Sequence, residues 1–152
     1  MTEIKTLDQR GRDFLAKEEG IKLAPYLDSV GIPTIGIGCT FYPNGKRVTM
    51  KDKPLKNVQA AWDLFDAVNN TFMLTVYSTT RDDINQNQFN ALVSLCYNIG
   101  TGGFKGSTVL KLVNKNPNDP KIVGAFELWQ NAGKKKGLLL GRRRREARLY
   151  FS

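Results

Sequence analysis

The sequence predicts an α+β chain, mainly helical, with a small β-hairpin part towards its amino end. Three observations predict it. After Leu55, apolar residues keep helical spacing over most of the chain. Residues 20–48 instead hold glycines, prolines and an Asn-Gly pair between short apolar runs, the pattern of turns between short strands. Finally, 152 residues, 41% hydrophobic and 24% charged, have the length and makeup of one soluble globular domain.

Leu7, Phe14 and Leu15 recur near helical spacing and Gly20 follows as a candidate C-cap, so a first helix runs from about Leu7 to Glu19. Leu23–Leu27 and Pro33–Gly38 read as strands joined by the turn Asp28–Gly31, with Pro25 and Pro33 confining them to edge-type or irregular pairing. Pro43–Gly45 reads as the turn of a second hairpin, Phe41–Val48. After the break at Lys51–Pro54, the residues Val58, Ala61, Trp62, Phe65, Val68, Phe72 and Val76 predict one long helix from Leu55 to about Tyr77. Polar Arg81–Asn85 supplies an N-cap for an amphipathic helix over Gln88–Tyr97, closed by Asn98 and Gly100. Gly100–Gly106 lacks the preceding strand and the Lys-Ser/Thr ending of a phosphate-binding loop and reads as a flexible turn. Ser107 caps a short helix through Val113, and the turn Asn116–Pro120 precedes another containing Ile122, Val123, Phe126 and Trp129. The basic runs Lys134–Lys136 and Arg142–Arg145 then lead into a last helix over Glu146–Phe151.

The 23 basic and 14 acidic side chains give a net charge of +9, and with no histidine it barely changes across the physiological range. Such a charge favours polyanions, whether nucleic acid, an anionic membrane face or an acidic bacterial envelope, and does not choose among them. Cys39 and Cys96 are expected as free thiols, and Cys96→Ala is expected to cost more stability than Cys39→Ala because Cys96 lies on the apolar side of its helix. Without histidine or a Cys-x-x-Cys pair, zinc-ligand spacing is missing, and the scattered acids do not form a calcium loop, so no metal is expected. The first twenty residues hold no apolar run of signal-peptide length, and nowhere do eighteen apolar residues follow one another, so neither an export signal nor a membrane anchor is expected.

The stretch with the clearest chemistry is Glu18–Thr40. Glu19 and Asp28 stand nine residues apart, with Thr34 six further on. An acid at the end of a helix meets the negative end of the helix dipole, which favours the protonated form a general acid needs. Asp28, at a solvated turn, is expected to stay ionised, and two carboxyls in contrasting surroundings can divide the acid and base roles of glycoside hydrolysis. Helical periodicity alone does not choose between Glu18, near the centre of the apolar face, and Glu19 on its flank.

In order, Glu-Gly, Tyr-x-Asp and Thr-Ile-Gly-x-Gly, with the spacing Glu-x8-Asp-x5-Thr at Glu19, Asp28 and Thr34, resemble the active-site signature of the phage-type lysozymes of glycoside hydrolase family 24. Gln88–Leu92, Asn98–Gly100 and Arg142–Arg145 are similar to later family features, so the resemblance covers nearly the whole chain. It implies a single catalytic domain over 1–152, with a small β-containing lobe at about 15–57 and a helical lobe from 1–14 and 58–152. In that family a long helix joins the lobes and the cleft lies between them. It further implies an endolysin, a muramidase cutting the β-1,4 bond between N-acetylmuramic acid and N-acetylglucosamine in peptidoglycan. Glu19 would protonate the departing oxygen while Asp28, aided by Thr34, activates a water on the opposite face, an inverting arrangement that sets the carboxyls about 6.5–9.5 Å apart. Tyr97, Asn98 and Ser107 fall where family members contact sugar. No cofactor is implied; the partner is the glycan strand, the acting form a monomer, and release to the periplasmic wall would depend on a holin pore. Cys39 stands where many relatives carry histidine.

A basic run arriving late in the chain also suggests that Arg142 or Arg143 pairs with Glu18 or Glu19, leaving Arg144 and Arg145 solvated. Two further readings of the charge are a nucleic-acid-binding module using Lys134–Lys136 and Arg142–Arg145, for which no recognition motif is present, and a non-catalytic cationic disruptor of wall or membrane.

Overall fold

A computed structural model describes residues 3–152. Among them, eight helices and one two-stranded antiparallel sheet are present, so the chain is mainly helical α+β. The chain divides into two compact units, one of residues 14–71 and the other built from the residues before 14 and after 71.

Helix α1 spans Gln9–Glu19 and ends where Gly20, at φ 78°, donates its backbone N–H to Ala16 O at 2.7 Å. In the unit of residues 14–71, β1 (Lys22–Leu27) pairs with β2 (Pro33–Gly36) through Lys22↔Gly36, Tyr26↔Thr34 and Leu27↔Pro33. The register shifts between Lys22 and Tyr26, the interval that holds Pro25, which has no N–H to give a ladder. Ile35 and Cys39 close a tight turn through two backbone hydrogen bonds, and the second hairpin expected at 41–48 is present as a short Phe41↔Arg47 bridge. Gly36 is at φ 66°, and a Cβ there would meet Leu55 Cδ1 at 3.2 Å, so glycine lets the strand end bend close to its neighbours. The core of this unit gathers Ile35, Cys39, Val48 and Leu64, covered by Tyr42, Leu55 and Val68.

The expected continuous helix from Leu55 to Tyr77 is two helices, α2 (Val58–Val68) and α3 (Thr71–Thr79). Asn57 caps the start of α2 by accepting from Ala60 N. Asn69 leaves helical geometry at φ −116°, and its side-chain amide donates to Ile37 O at 3.2 Å and Gly38 O at 3.3 Å. The amide satisfies carbonyls of a glycine-rich turn that has no strand to pair with. Apolar spacing runs on in phase through Val68, Phe72 and Val76, so periodicity passes straight over the break.

The other unit is organised on α4 (Gln86–Ile99). Asn85 and Gln88 form a reciprocal capping box at its start. Every residue from Gln88 to Cys96 is buried, so the helix expected to be amphipathic is covered all round. Its polar members are satisfied: Asn90 donates to Asp8 Oδ1 at 2.8 Å, and Ser94 donates to Glu146 Oε2 at 2.6 Å. The Gly-rich segment read as a flexible turn is a short helix, α5 (Thr101–Lys105), anchored by fully buried Phe104. A Cβ on Gly103 would meet the Trp129 ring at 3.2 Å, so glycine admits the indole. After α6 (Thr108–Lys115) and α7 (Lys121–Glu127), the last helix α8 spans Leu140–Tyr150 and so contains the arginine run instead of following it. α8 packs on α4 and α7.

One helical turn of α8 sorts that run. Arg142 and Arg143 turn inward onto Glu146, with Arg142 Nε 3.2 Å from Oε2 and Arg143 Nε 2.7 Å from Oε1. Arg143 and Glu146 are both 0% exposed. Arg142 also donates to Ser94 O and Oγ, each at 3.2 Å. Burial holds the Glu146 carboxyl above the usual carboxylate range, against the opposing pull of the Arg143 and Arg142 guanidiniums. Arg144 and Arg145 are exposed, as expected. Cys39 is as deeply buried as Cys96, so burial gives no ground for Cys96→Ala to cost more than Cys39→Ala. Burial raises the two thiols to about 11 and about 12 respectively.

Candidate functional site

Glu19, Asp28 and Thr34 all belong to the unit of residues 14–71. Glu19 is the last residue of α1 and is exposed. Asp28 follows β1 directly and is half-buried, less solvated than its turn position suggests. The loop it heads is built on its own side chain: Oδ1 accepts the backbone N–H of Val30 and of Ile32, each at 2.9 Å, and its backbone N–H returns to Ile32 O at 3.0 Å. Oδ2 accepts no protein hydrogen bond among the described residues. The carboxylate is therefore held in orientation by one oxygen while the other remains available.

Thr34 is 2% exposed and lies in β2 directly opposite Tyr26. Its hydroxyl donates to Ile32 O at 2.8 Å. With its proton engaged, Oγ1 can only accept from a further partner. Thr34 and Asp28 thus share one anchor: Ile32 receives from the first through its carbonyl and gives to the second through its N–H.

Tyr26, quoted in the Tyr-x-Asp motif but given no role from sequence, pairs with Thr34 across the sheet and precedes Asp28 by two residues. It is half-buried, and the Lys22 ammonium lies 4.4 Å from its ring centroid. Burial raises the pKa of its phenol, and the negative charges of Glu19 and Asp28 add to that effect. The alternation that places Tyr26 two residues before Asp28 was the sequence signal that could have found it.

The remaining predicted residues lie in the other unit. The Tyr97 ring packs against Phe72 at 5.0 Å between centroids. Asn98 borders a hollow of about 380 Å³ with Trp129, Asn131 and Gly133, and its Oδ1 is buried without a hydrogen-bond partner. Ser107 is buried and its hydroxyl is doubly engaged, accepting from Leu110 N at 3.1 Å and donating to Phe104 O at 2.7 Å. This is the N-cap of α6, so the hydroxyl expected to contact sugar is committed to starting a helix. Among the described residues no three acidic, cysteine or histidine side chains cluster as metal ligands would, and no helix is long and apolar enough to cross a membrane.

The chain is similar to known proteins along nearly its whole length. The chain is 40% identical to the endolysin of Salmonella phage P22 over 153 aligned positions, covering 96% of this chain and 98% of the relative. A crystal structure of a P22 lysozyme mutant superposes with a TM-score of 0.87 at 38% identity, covering 98% of this chain and all of the other. The endolysin of Escherichia coli O157:H7 phage FAHEc1 superposes with a TM-score of 0.83 at 33% identity, covering 99% of this chain and 97% of that one. The muramidase domain of SpmX from Asticaccaulis excentricus superposes with a TM-score of 0.75 at 28% identity, covering 98% of this chain and 99% of that one. The phage lysozyme family matches residues 16–147, and the chain belongs to that family.

Proposed function

We propose that Glu19, Asp28 and Thr34 are the hydrolytic centre of this phage lysozyme, with Glu19 the general acid, Asp28 the general base and Thr34 the second holder of the attacking water. The chain is a glycoside hydrolase of the endolysin type. The bond cut is the β-1,4 linkage from N-acetylmuramic acid to N-acetylglucosamine in peptidoglycan.

The observation that carries the reading is the hydrogen-bond polarity at Asp28 and Thr34. Asp28 Oδ1 is occupied by two backbone N–H groups and Oδ2 is open, while Thr34 Oγ1 has already given its proton to Ile32 O. A water between them therefore donates one hydrogen to Asp28 Oδ2 and the other to Thr34 Oγ1. Its lone pair is left pointing away from both, towards an anomeric carbon. As the water oxygen bonds to C1, its proton passes to Asp28, and the C1–O4 bond breaks with the Glu19 proton going to the departing oxygen. The product is a reducing-end muramic acid with inverted configuration. Tyr97 and Asn98 are carried as sugar contacts of the same proposal; Ser107, committed to its cap, is not. Action as a monomer on the periplasmic wall, after release through a holin pore, completes it.

The test is digestion of purified peptidoglycan followed by mass spectrometry and early-time NMR of the anomeric signals. Reducing muramic ends appearing first as the α anomer are expected. Anhydromuramic ends, or a β anomer, would remove the water-activating role from Asp28 and Thr34. Glu19→Gln and Asp28→Asn should each lower turnover roughly 10² to 10⁴ fold, with melting midpoints unchanged.

A further inference from the structure

We propose that the Tyr26 hydroxyl is a substrate-binding group that donates a hydrogen bond to a neutral acceptor on the glycan strand, beside the bond cleaved by Glu19 and Asp28. The proposal rests on the assignment of those carboxylates above and adds a recognition contact to their site.

Register supplies the first argument. Tyr26 on β1 stands directly opposite Thr34 on β2, and directly opposed residues of an antiparallel pair project to the same side of the sheet. Asp28 lies two residues beyond Tyr26, where strand alternation returns to that side. The phenol therefore shares a face with both groups that hold the water.

The second argument is that the ring is held. Its backbone is paired in the sheet, and the Lys22 ammonium sits over the ring, so the hydroxyl is aimed by the fold before any ligand arrives. Held in advance, a donor loses little freedom when it binds.

The third argument is an unspent donor. A partly buried tyrosine hydroxyl ordinarily finds a hydrogen-bond partner. The Tyr26 hydroxyl makes none to protein among the described residues. It remains protonated across the neutral range, because burial and then the charges of Glu19 and Asp28 oppose its ionisation. The Asp28 carboxylate, ionised as the general base, selects its partner: an anionic lactyl carboxylate would be repelled by it, whereas the carbonyl of an acetamido group or a sugar hydroxyl would not.

The experiment uses a tetrasaccharide of alternating N-acetylglucosamine and N-acetylmuramic acid, titrated calorimetrically into Glu19→Gln and into Glu19→Gln/Tyr26→Phe, beside kcat and KM of Tyr26→Phe alone. Phenylalanine keeps the ring under Lys22 and removes only the hydroxyl. Binding weakened about 3- to 10-fold, the loss of one neutral hydrogen bond, is expected, with a matching fall in kcat/KM and an unchanged melting midpoint. Binding and kcat/KM within twofold of the parent would overturn the proposal, as would a loss accompanied by a fallen midpoint, which marks a structural hydroxyl. Glu19→Gln and Asp28→Asn are assayed alongside. Should either retain turnover, the carboxylate assignment fails and this proposal with it; if both are inactive while Tyr26→Phe behaves as the parent, only the Tyr26 contact is refuted.

Discussion

Replacing Glu146 with Gln tests the most consequential piece of buried chemistry in the helical unit. The substitution keeps the side chain's shape and removes a buried carboxylate that both Arg142 and Arg143 meet. Arg143 is 0% exposed with its Nε 2.7 Å from Glu146 Oε1, and Arg142 is 7% exposed with its Nε at 3.2 Å from Oε2. Guanidinium does not give up its proton, so the charges left behind stay buried. Breaking a buried pair in this way costs about 3–5 kcal/mol. At about 2–4 °C per kcal/mol for a domain of this length, the melting midpoint should fall by about 6–20 °C. Urea melts followed by tryptophan fluorescence and by circular dichroism would measure it. The internal control is Arg144→Ala: the pair with Glu127 is 3.8 Å long and Arg144 is 56% exposed, so the change should stay within about 0.5 kcal/mol. A second control replaces Arg142, Arg143 and Glu146 together with apolar residues of similar volume, which should be tolerated better than Glu146→Gln alone because no charge remains to be solvated. If Glu146→Gln costs under about 1 kcal/mol, or no more than Arg144→Ala, the reasoning that the buried contacts of Glu146 with Arg142 and Arg143 hold this unit together is wrong.

Ser107→Ala should cost about 1 kcal/mol, the typical worth of an N-cap, and leave KM for peptidoglycan unchanged; a raised KM at unchanged stability would return Ser107 to the sugar site. The thiols set an alkaline limit. Buried Cys39 and Cys96 stay protonated in the folded protein to about 11 and about 12, whereas the unfolded chain ionises them near the ordinary value of 9.0. The unfolded state then binds fewer protons, so stability should fall as pH rises from 9 towards 11, and Cys39→Ala/Cys96→Ala should flatten that fall in urea melts. An identical slope in the double variant would assign the decline to other groups. In the same samples a thiol reagent at pH 8 should find both cysteines unreactive until the protein is unfolded.

Chain-local physics determined a good deal about this protein. Helix starts at Asn85 and Ser107, the end of α1 at Glu19 before Gly20, and the hairpin around Asp28 were legible because each depends on backbone hydrogen bonds within a few residues. Glu19, Asp28 and Thr34 were singled out by their match to a family signature, because helical periodicity by itself left Glu18 and Glu19 open. Tertiary structure decided what depends on partners far along the chain. Nothing near Asn69 announces that its amide will serve the carbonyls of Ile37 and Gly38, so the break between α2 and α3 was hidden beneath unbroken apolar spacing. Gly103 reads as flexible until Trp129 fills the space its missing Cβ leaves, and a glycine run becomes α5. Four successive arginines look alike in sequence, but only Arg142 and Arg143 meet Glu146 and Ser94, because burial of α8 against α4 admits a charge only where an opposite charge is already waiting.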